Sequence, residues 1–229
     1  MLNIFLFELN YRIKRPATWV YFAMFFLFAF LVMVTDKISI NGGTGNMFRN
    51  APATIESYIA IFMAFGMLVI SAVMGNPVFR DYEHNTHHFL FSYPFGKWEY
   101  LLGRFFGSMV ICCMIFLSVP LGLGLGATLS PVFKWMPPER FCDNSPLVYL
   151  IPYLIYTVPN ILFVGAIFFG ITSLTKKITY TYLFNVVLFM GYLLTLNKLS
   201  DPANLTLTAI LDPFGISANQ GESRYWTPA

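Results

Sequence analysis

The chain has 229 residues, of which 57% are hydrophobic and only 11% charged, and its net charge is +3. Soluble domains carry about 25% charged residues, so this composition excludes a compact water-soluble domain and points to a membrane protein. The Lys and Arg residues are scattered rather than gathered with aromatics on one soluble face, which argues against nucleic acid as a partner.

Residues 1–16 come first. Leu2, Phe5, Leu6, Leu9 and Ile13 fall on one helical stripe, while Asn3, Asn10 and Lys14 lie elsewhere. That pattern predicts an amphipathic helix on the membrane surface, with lipid as its partner. Arg12, Lys14 and Arg15 come too late for a cleaved signal peptide, and no small-x-small site follows Val34.

Uncharged runs then mark five expected spans: Ala17–Val34, Ser57–Phe79, Phe105–Phe133, Asn144–Thr175 and Ile178–Asn197. A span needs about 20 apolar residues, so the longer third and fourth runs are expected to reach beyond the hydrocarbon. Asn76-Pro77 is expected to end the second span. Pro120 in the third run, and Pro152 and Pro159 in the fourth, each remove a backbone donor and should bend their helices. Gly103/Gly107 and Gly122/Gly126 are G-x-x-x-G pairs that permit close helix approach. The run Gly122-Leu-Gly-Leu-Gly126 has no preceding strand and no third glycine at nucleotide-binding spacing, so packing is its reading. Cys112, Cys113 and Cys142 offer no disulfide framework and read as small buried hydrophobes.

After the fifth span, residues 198–229 form an expected extracytoplasmic tail. Its apolar stretch around Leu205–Ile216 is too short to cross and is broken by Pro213 and Gly215. The tripeptide Asn204-Leu-Thr206 matches a glycosylation acceptor, a pattern that is common by chance. The expected fold is therefore an all-α, polytopic transmembrane bundle with an N-terminal interfacial helix (1–16), a membrane domain (17–197) with a cytoplasmic connection (76–104), and an outer tail.

Orientation follows from the basic residues. With the N-terminus cytoplasmic, the inner segments hold Arg12, Lys14, Arg15, Arg80, Lys97, Arg104, Lys176 and Lys177. The outer ones hold Lys37, Arg49, Lys134, Arg140, Lys198 and Arg224. The inner set is larger and lies closer to the span ends, where the positive-inside rule acts.

His84, His87 and His88 carry the His-x-x-His-His spacing of the iron boxes of membrane-bound desaturases, and they are the only histidines. Three imidazoles cannot complete a di-iron centre, where each iron needs several supported ligands. A zinc site using Glu83 is the remaining metal option. Adjacent His87 and His88 would point about 100° apart on a helix, however. A membrane-bound metalloenzyme thus stands as the alternative reading, with a non-transporting membrane scaffold beside it. No intramembrane protease is encoded, since the five runs contain no Asp, Glu or His.

The same absence bears on transport. A charge at mid-bilayer costs about 2.5–3.5 kcal/mol on insertion scales and persists where a coupling ion needs it. Asn160 and Asn185 are the main polar residues in the runs, and helix–helix hydrogen bonding is their ordinary role. A transporter of this kind takes its energy from outside the bilayer, through a structured polar and aromatic connection. Residues 76–104 have that character: polar groups at Arg80–Thr86, apolar ones at Phe89, Leu90, Phe91 and Tyr93, and a turn at Pro94-Phe-Gly96. They read as two short interfacial helices joined by that turn.

This segment resembles the cytoplasmic loop of ABC-2 type permeases, the membrane subunits of ABC exporters. The matching residues are Phe79, Asp81, Glu83, Thr86, Leu90, Ser92 and Pro94, then Tyr100, Leu101, Gly103 and Arg104; Asn85 stands where the family often has Gly. The resemblance implies a permease without catalytic residues, metal or cofactor, in a bacterial inner membrane. It implies a separate ABC ATPase as partner and a second permease half, identical or not. It also implies an ATPase contact at Arg80, Asp81, Tyr82, Glu83, His84, Asn85 and Thr86, with Pro94 and Gly96 shaping the turn. The chain has no G-x-x-x-x-G-K-[ST] loop with which to hydrolyse ATP itself. The family usually has six spans, so a sixth is expected beyond residue 229. Asp212-Pro-Phe-Gly215 with Tyr225-Trp-Thr227 resembles large bacterial permeases that carry a peptidase domain further along.

Overall fold

A computed structural model describes residues 1–35, 48–84, 96–198, 212 and 214. Described segments are helical, and no strand occurs among them. Helix α1 spans Leu2–Ile13, α2 Pro16–Val34 and α3 Pro52–Glu83. Helix α4 spans Lys97–Phe116 and α5 Ser118–Val132; a short 3-10 turn follows at Pro138–Arg140. Then come α6 at Leu147–Pro152, a π-helical turn at Tyr153–Thr157, α7 at Val158–Thr175 and α8 at Ile178–Lys198.

Four stretches are long and apolar enough to cross a membrane: Pro16–Val34, Pro52–Glu83, Lys97–Val132 and Leu147–Thr175. Helix α8 adds a shorter apolar stretch, Ile178–Leu193. The chain is a multi-pass, all-helical membrane protein. Helix α3 is the most enclosed, with 78% of its apolar window buried, against 28% in α2.

Prolines set the interruptions. Pro120 has no N–H to give the Phe116 carbonyl, and the helix breaks at Leu117, between α4 and α5. Pro152 and Pro159 bracket the π-helical turn, where the ordinary ladder gives way. Pro77 behaves differently. The sequence places the end of the second span there, yet α3 runs through Pro77 to Glu83. One lost bond, worth about 3 kcal/mol in a helix interior, is outweighed because the following turn is held by buried ion pairs.

The chain divides into two compact units. The first comprises Met1–Tyr21, Gly66–Ile115 and Ile161–Phe189. Within it, a Cβ on Gly103 would lie 3.0 Å from Ile4 Cβ, and one on Gly107 2.9 Å from Glu8 Cβ, so these glycines let α1 lie directly on α4. Asn185 donates to Ser71 Oγ at 2.9 Å, and the Thr172 and Thr181 hydroxyls share a hydrogen bond. These are the helix–helix contacts expected of polar residues in spans.

The second unit comprises Phe22–Phe65, Phe116–Asn160 and Met190–Ala229. Here Gly122 and Gly126 seat α5 on α2: added Cβ atoms would come within 2.6 Å of the Phe26 carbonyl oxygen and of Met33 Cβ. Buried Arg49 donates to the carbonyls of Val32 (3.0 Å) and Thr35 (3.2 Å), capping the end of α2 with a cation. Asn50 pairs with the Cys142 backbone in both directions, at 2.7 and 2.8 Å. Cys142 is exposed, contrary to its reading as a buried hydrophobe, because this backbone tie holds it in a surface connection. Cys112 is buried as expected.

Candidate functional site

Helix α1 turns a charged face to its neighbours. Ile4, Glu8 and Arg12 succeed one another at four-residue spacing, which places them on one face. Glu8 and Arg12 are buried; Leu2 and Leu6 of the apolar stripe are exposed, as are Phe7 and the polar residues Asn3, Asn10 and Lys14, while Phe5, Leu9 and Ile13 are partly covered.

Glu8 is the centre of a cluster. It accepts hydrogen bonds from Arg12 of its own helix, from Arg104 of α4 and, at 3.2 Å, from Arg80 of α3. Arg104 also donates to both carboxylate oxygens of Asp81, at 2.9 and 2.7 Å. The Tyr100 hydroxyl, one turn before Arg104, donates to Asp81 as well. Arg80 lies over the Tyr11 ring at 4.2 Å. One guanidinium therefore bridges two carboxylates from different helices, a use that suits the planar fork of Arg and not the point charge of Lys.

Three guanidiniums face two carboxylates, leaving one net positive charge. Burial alone would raise the Glu8 carboxyl, but Arg12, Arg104 and Arg80 outweigh it and hold the group below its ordinary value. A carboxylate so fixed is not poised to exchange a proton near neutral pH. The cluster acts as a lock that ties α1, the last turn of α3 and the second turn of α4 into one body.

Beyond the lock lies the surface that the sequence singles out. Asp81 points inward to Arg104 and Tyr100 and is buried, and Arg80 is largely buried. Tyr82 is half-buried, with the Lys176 ammonium 5.0 Å over its ring. Lys176 itself adopts a left-handed conformation (φ 58°) that closes α7 and turns the chain into α8. Glu83 and His84 are exposed at the tip of α3. Gly96 is exposed at the start of α4, its carbonyl accepting the Tyr100 N–H at 3.2 Å. Asn85, Thr86, His87, His88 and Pro94 lie outside the described residues, as do the apolar residues Phe89–Tyr93. The expected pair of short helices is replaced at its ends: Asn76–Glu83 belongs to α3 and Lys97–Arg104 to α4. A hollow of about 430 Å³ opens beside these ends, lined by Val78, Tyr82, Lys97, Tyr100, Leu101 and Ser173.

Sequence reasoning missed Glu8 as the partner of Arg104, with Arg12 as a second donor to it, although two signals were present. Glu8 and Arg12 stand at four-residue spacing in α1, and Gly103 and Gly107 flank Arg104 on the face where α1 approaches. Among the described residues, no three His, Cys, Asp or Glu side chains converge on a metal-sized site. The tail features at Asn204 and Tyr225–Thr227 lie outside the described residues; of the Asp212–Gly215 stretch, Asp212 and Phe214 are described, and both are buried.

Residues 2–213 match a family model described as ABC-2 family transporter protein. Comparison with the curated proteins and with the solved structures yields no match in either case.

Proposed function

The chain belongs to the ABC-2 family transporter proteins, and on that premise we propose that it is the membrane-spanning permease subunit of an ATP-driven transporter. A separate ATPase supplies the energy from the inner side of a cell membrane. A second permease half, identical or not, completes the path.

The observation that carries this reading is the lock formed by Glu8, Arg12, Arg80, Asp81 and Arg104. A push delivered at the tip of α3 or the start of α4 is shared at once with α1, because buried ion pairs with several hydrogen bonds break only at a cost of about 3–5 kcal/mol. In this reading Glu83, His84 and the residues up to Gly96 meet the ATPase. Arg80 and Asp81 position that surface from beneath, and Tyr82 joins it to the α7–α8 turn through Lys176. Residues 1–16 lie on the inner membrane surface, 17–197 hold the spans, and 198–229 lie outside.

Charge supports the orientation. Arg12, Lys14, Arg15, Arg80, Lys97, Arg104, Lys176 and Lys177 lie close to span ends on the segments read as inner, and the positive-inside rule then favours a cytoplasmic N-terminus.

Co-purification with an ABC ATPase tests the contact. Glu83→Arg inverts an exposed charge at the tip of α3 and is expected to weaken ATPase capture about tenfold, equivalent to about 1.4 kcal/mol. Membrane insertion and the melting temperature should be retained. Undiminished capture by the variant would remove Glu83 from the contact.

A further inference from the structure

A second feature of the first unit is a cavity of about 150 Å³ beside the lock. Arg12, Arg15 and Arg80 line it, together with the tyrosines Tyr11, Tyr21 and Tyr182. It is small against the ~300–1,000 Å³ of sites that hold whole organic ligands, yet several times the ~30 Å³ share of one water. Its lining is rich in hydrogen-bond donors. Each guanidinium carries five N–H groups. Arg12 gives its Nε–H to Glu8, Arg80 gives one terminal nitrogen to Glu8, and Arg15 gives one to the Tyr11 hydroxyl. The other donors of these three residues have no protein acceptor among the described residues.

The carboxylates of this unit do not balance these charges. Glu8 and Asp81 are the acidic members of the lock, and Arg104 is shared between both. With Arg15 added, four guanidiniums stand against two carboxylates. Glu83 and Glu99, the other acids of the unit, are exposed and do not line the cavity. A concave, partly buried site with surplus guanidinium donors and phenolic hydroxyls is complementary to a tetrahedral oxyanion, which Arg binds in bidentate fashion.

We propose that this cavity binds a phosphate group, supplied by the headgroup of an anionic phospholipid. The surroundings favour that source. Trp19 and Val20, in the first turn of α2, are exposed, as are Leu2, Leu6 and Phe7 of α1. An indole beside a basic pocket at a helix end marks the membrane interface, and such pockets between spans take lipid headgroups. A bound phosphate joins α1 and α3 through Arg12 and Arg80, two guanidiniums of the lock, and α8 through the Tyr182 hydroxyl, so lipid composition would set how firmly α1 is held. The inference does not rest on the ATPase reading. Glu83→Arg capture reads a different surface, so either result can fail while the other stands.

The test uses the full chain in detergent, with native mass spectrometry to count bound lipid and thermal unfolding to read protection. Phosphatidylglycerol is expected to bind at least tenfold more tightly than phosphatidylcholine and to raise the melting temperature. Arg15→Gln should cut that preference about tenfold. Lys14→Gln, which removes a neighbouring exposed charge outside the cavity, should leave it unchanged. Tyr182→Phe serves as the second variant, with a smaller loss expected, should Arg15→Gln not fold. Protection by millimolar inorganic phosphate alone, lost in Arg15→Gln and without a phosphatidylglycerol preference, would keep the phosphate site and assign it to a soluble anion. Equal binding of both lipids with no effect of phosphate, or equal losses in Lys14→Gln and Arg15→Gln, would overturn the proposal.

Discussion

Glu8 holds together charges from three helices, and its removal isolates them. Glu8→Gln leaves Arg12, Arg80 and Arg104 with Asp81 as the remaining carboxylate of the cluster, and breaking a buried ion pair from one side costs about 3–5 kcal/mol. Since Gln still accepts a hydrogen bond, a loss of about 3 kcal/mol is expected, read as a lower melting temperature in detergent. The pH dependence has a definite sign. The folded carboxyl titrates below its ordinary value, so its stabilisation is full above about 4.3, the unfolded value. It declines as pH falls from there and is gone once the lower, folded value is passed. The difference between wild type and Glu8→Gln should therefore be constant from neutral pH down to about 5 and then shrink, because protonated Glu8 resembles Gln. A difference that persists unchanged at pH 3 would show that Glu8 is not the ionised centre described here. Local pattern offered only the Glu8/Arg12 spacing and the glycines around Arg104, not the pairing between them. Arg104 lies 96 residues from Glu8 and Asp81 23 residues from Arg104. A stripe analysis assigns charged positions of an amphipathic helix to water by default. Here Asn3, Asn10 and Lys14 do stay exposed, whereas Glu8 and Arg12 are buried against protein.

At the scale of the element, the spans were legible because a bilayer imposes length and apolarity on every crossing helix, whatever its neighbours. The interruptions were legible as prolines but not as positions. Pro120 breaks the helix three residues upstream, at Leu117, next to the Phe116 carbonyl that its missing donor would have met, while Pro77 is carried through by the ion pairs that follow it. The G-x-x-x-G pairs announced close approach without naming the partner, which is α1 for Gly103/Gly107 and α2 for Gly122/Gly126. These contacts yield a paired prediction. An added Cβ at Gly122 meets the Phe26 carbonyl oxygen at 2.6 Å and Ala29 Cβ at 3.0 Å, and backbone cannot yield as a side-chain tip does. Gly122→Ala should therefore lower stability by about 1–3 kcal/mol. Gly170→Ala, in α7, meets nothing within 4 Å. It should raise stability by up to about 0.5–1 kcal/mol through helix preference alone. Thermal unfolding of the two variants side by side checks this. Equal effects of the same sign would mean that α5 does not rest on α2 at these glycines.

For the molecule as a whole, charge sorts with fold in a way that neither feature requires of the other. The eight basic residues read as inner all fall in the first unit, and Arg49, Lys134 and Arg140, read as outer, fall in the second. If the sorting reflects insertion, the connection that carries Cys142 faces outward and the tip of α3 faces inward, and the native cysteines allow a direct check. Cys142 is exposed, Cys112 is buried and Cys113 is partly covered within α4. A membrane-impermeant maleimide applied to intact cells should label wild type and not Cys142→Ser. Placing Glu83→Cys on the Cys142→Ser background adds a thiol at an exposed position on the other side of α3. Its labelling should require permeabilised membranes. Labelling of Glu83→Cys in intact cells would invert the orientation and place the proposed ATPase contact where no ATP is available. Labelling of both sites from outside would deny that α3 spans at all. The expected outcome, one thiol on each side, would establish that α3 spans the membrane with its Glu83 end inside.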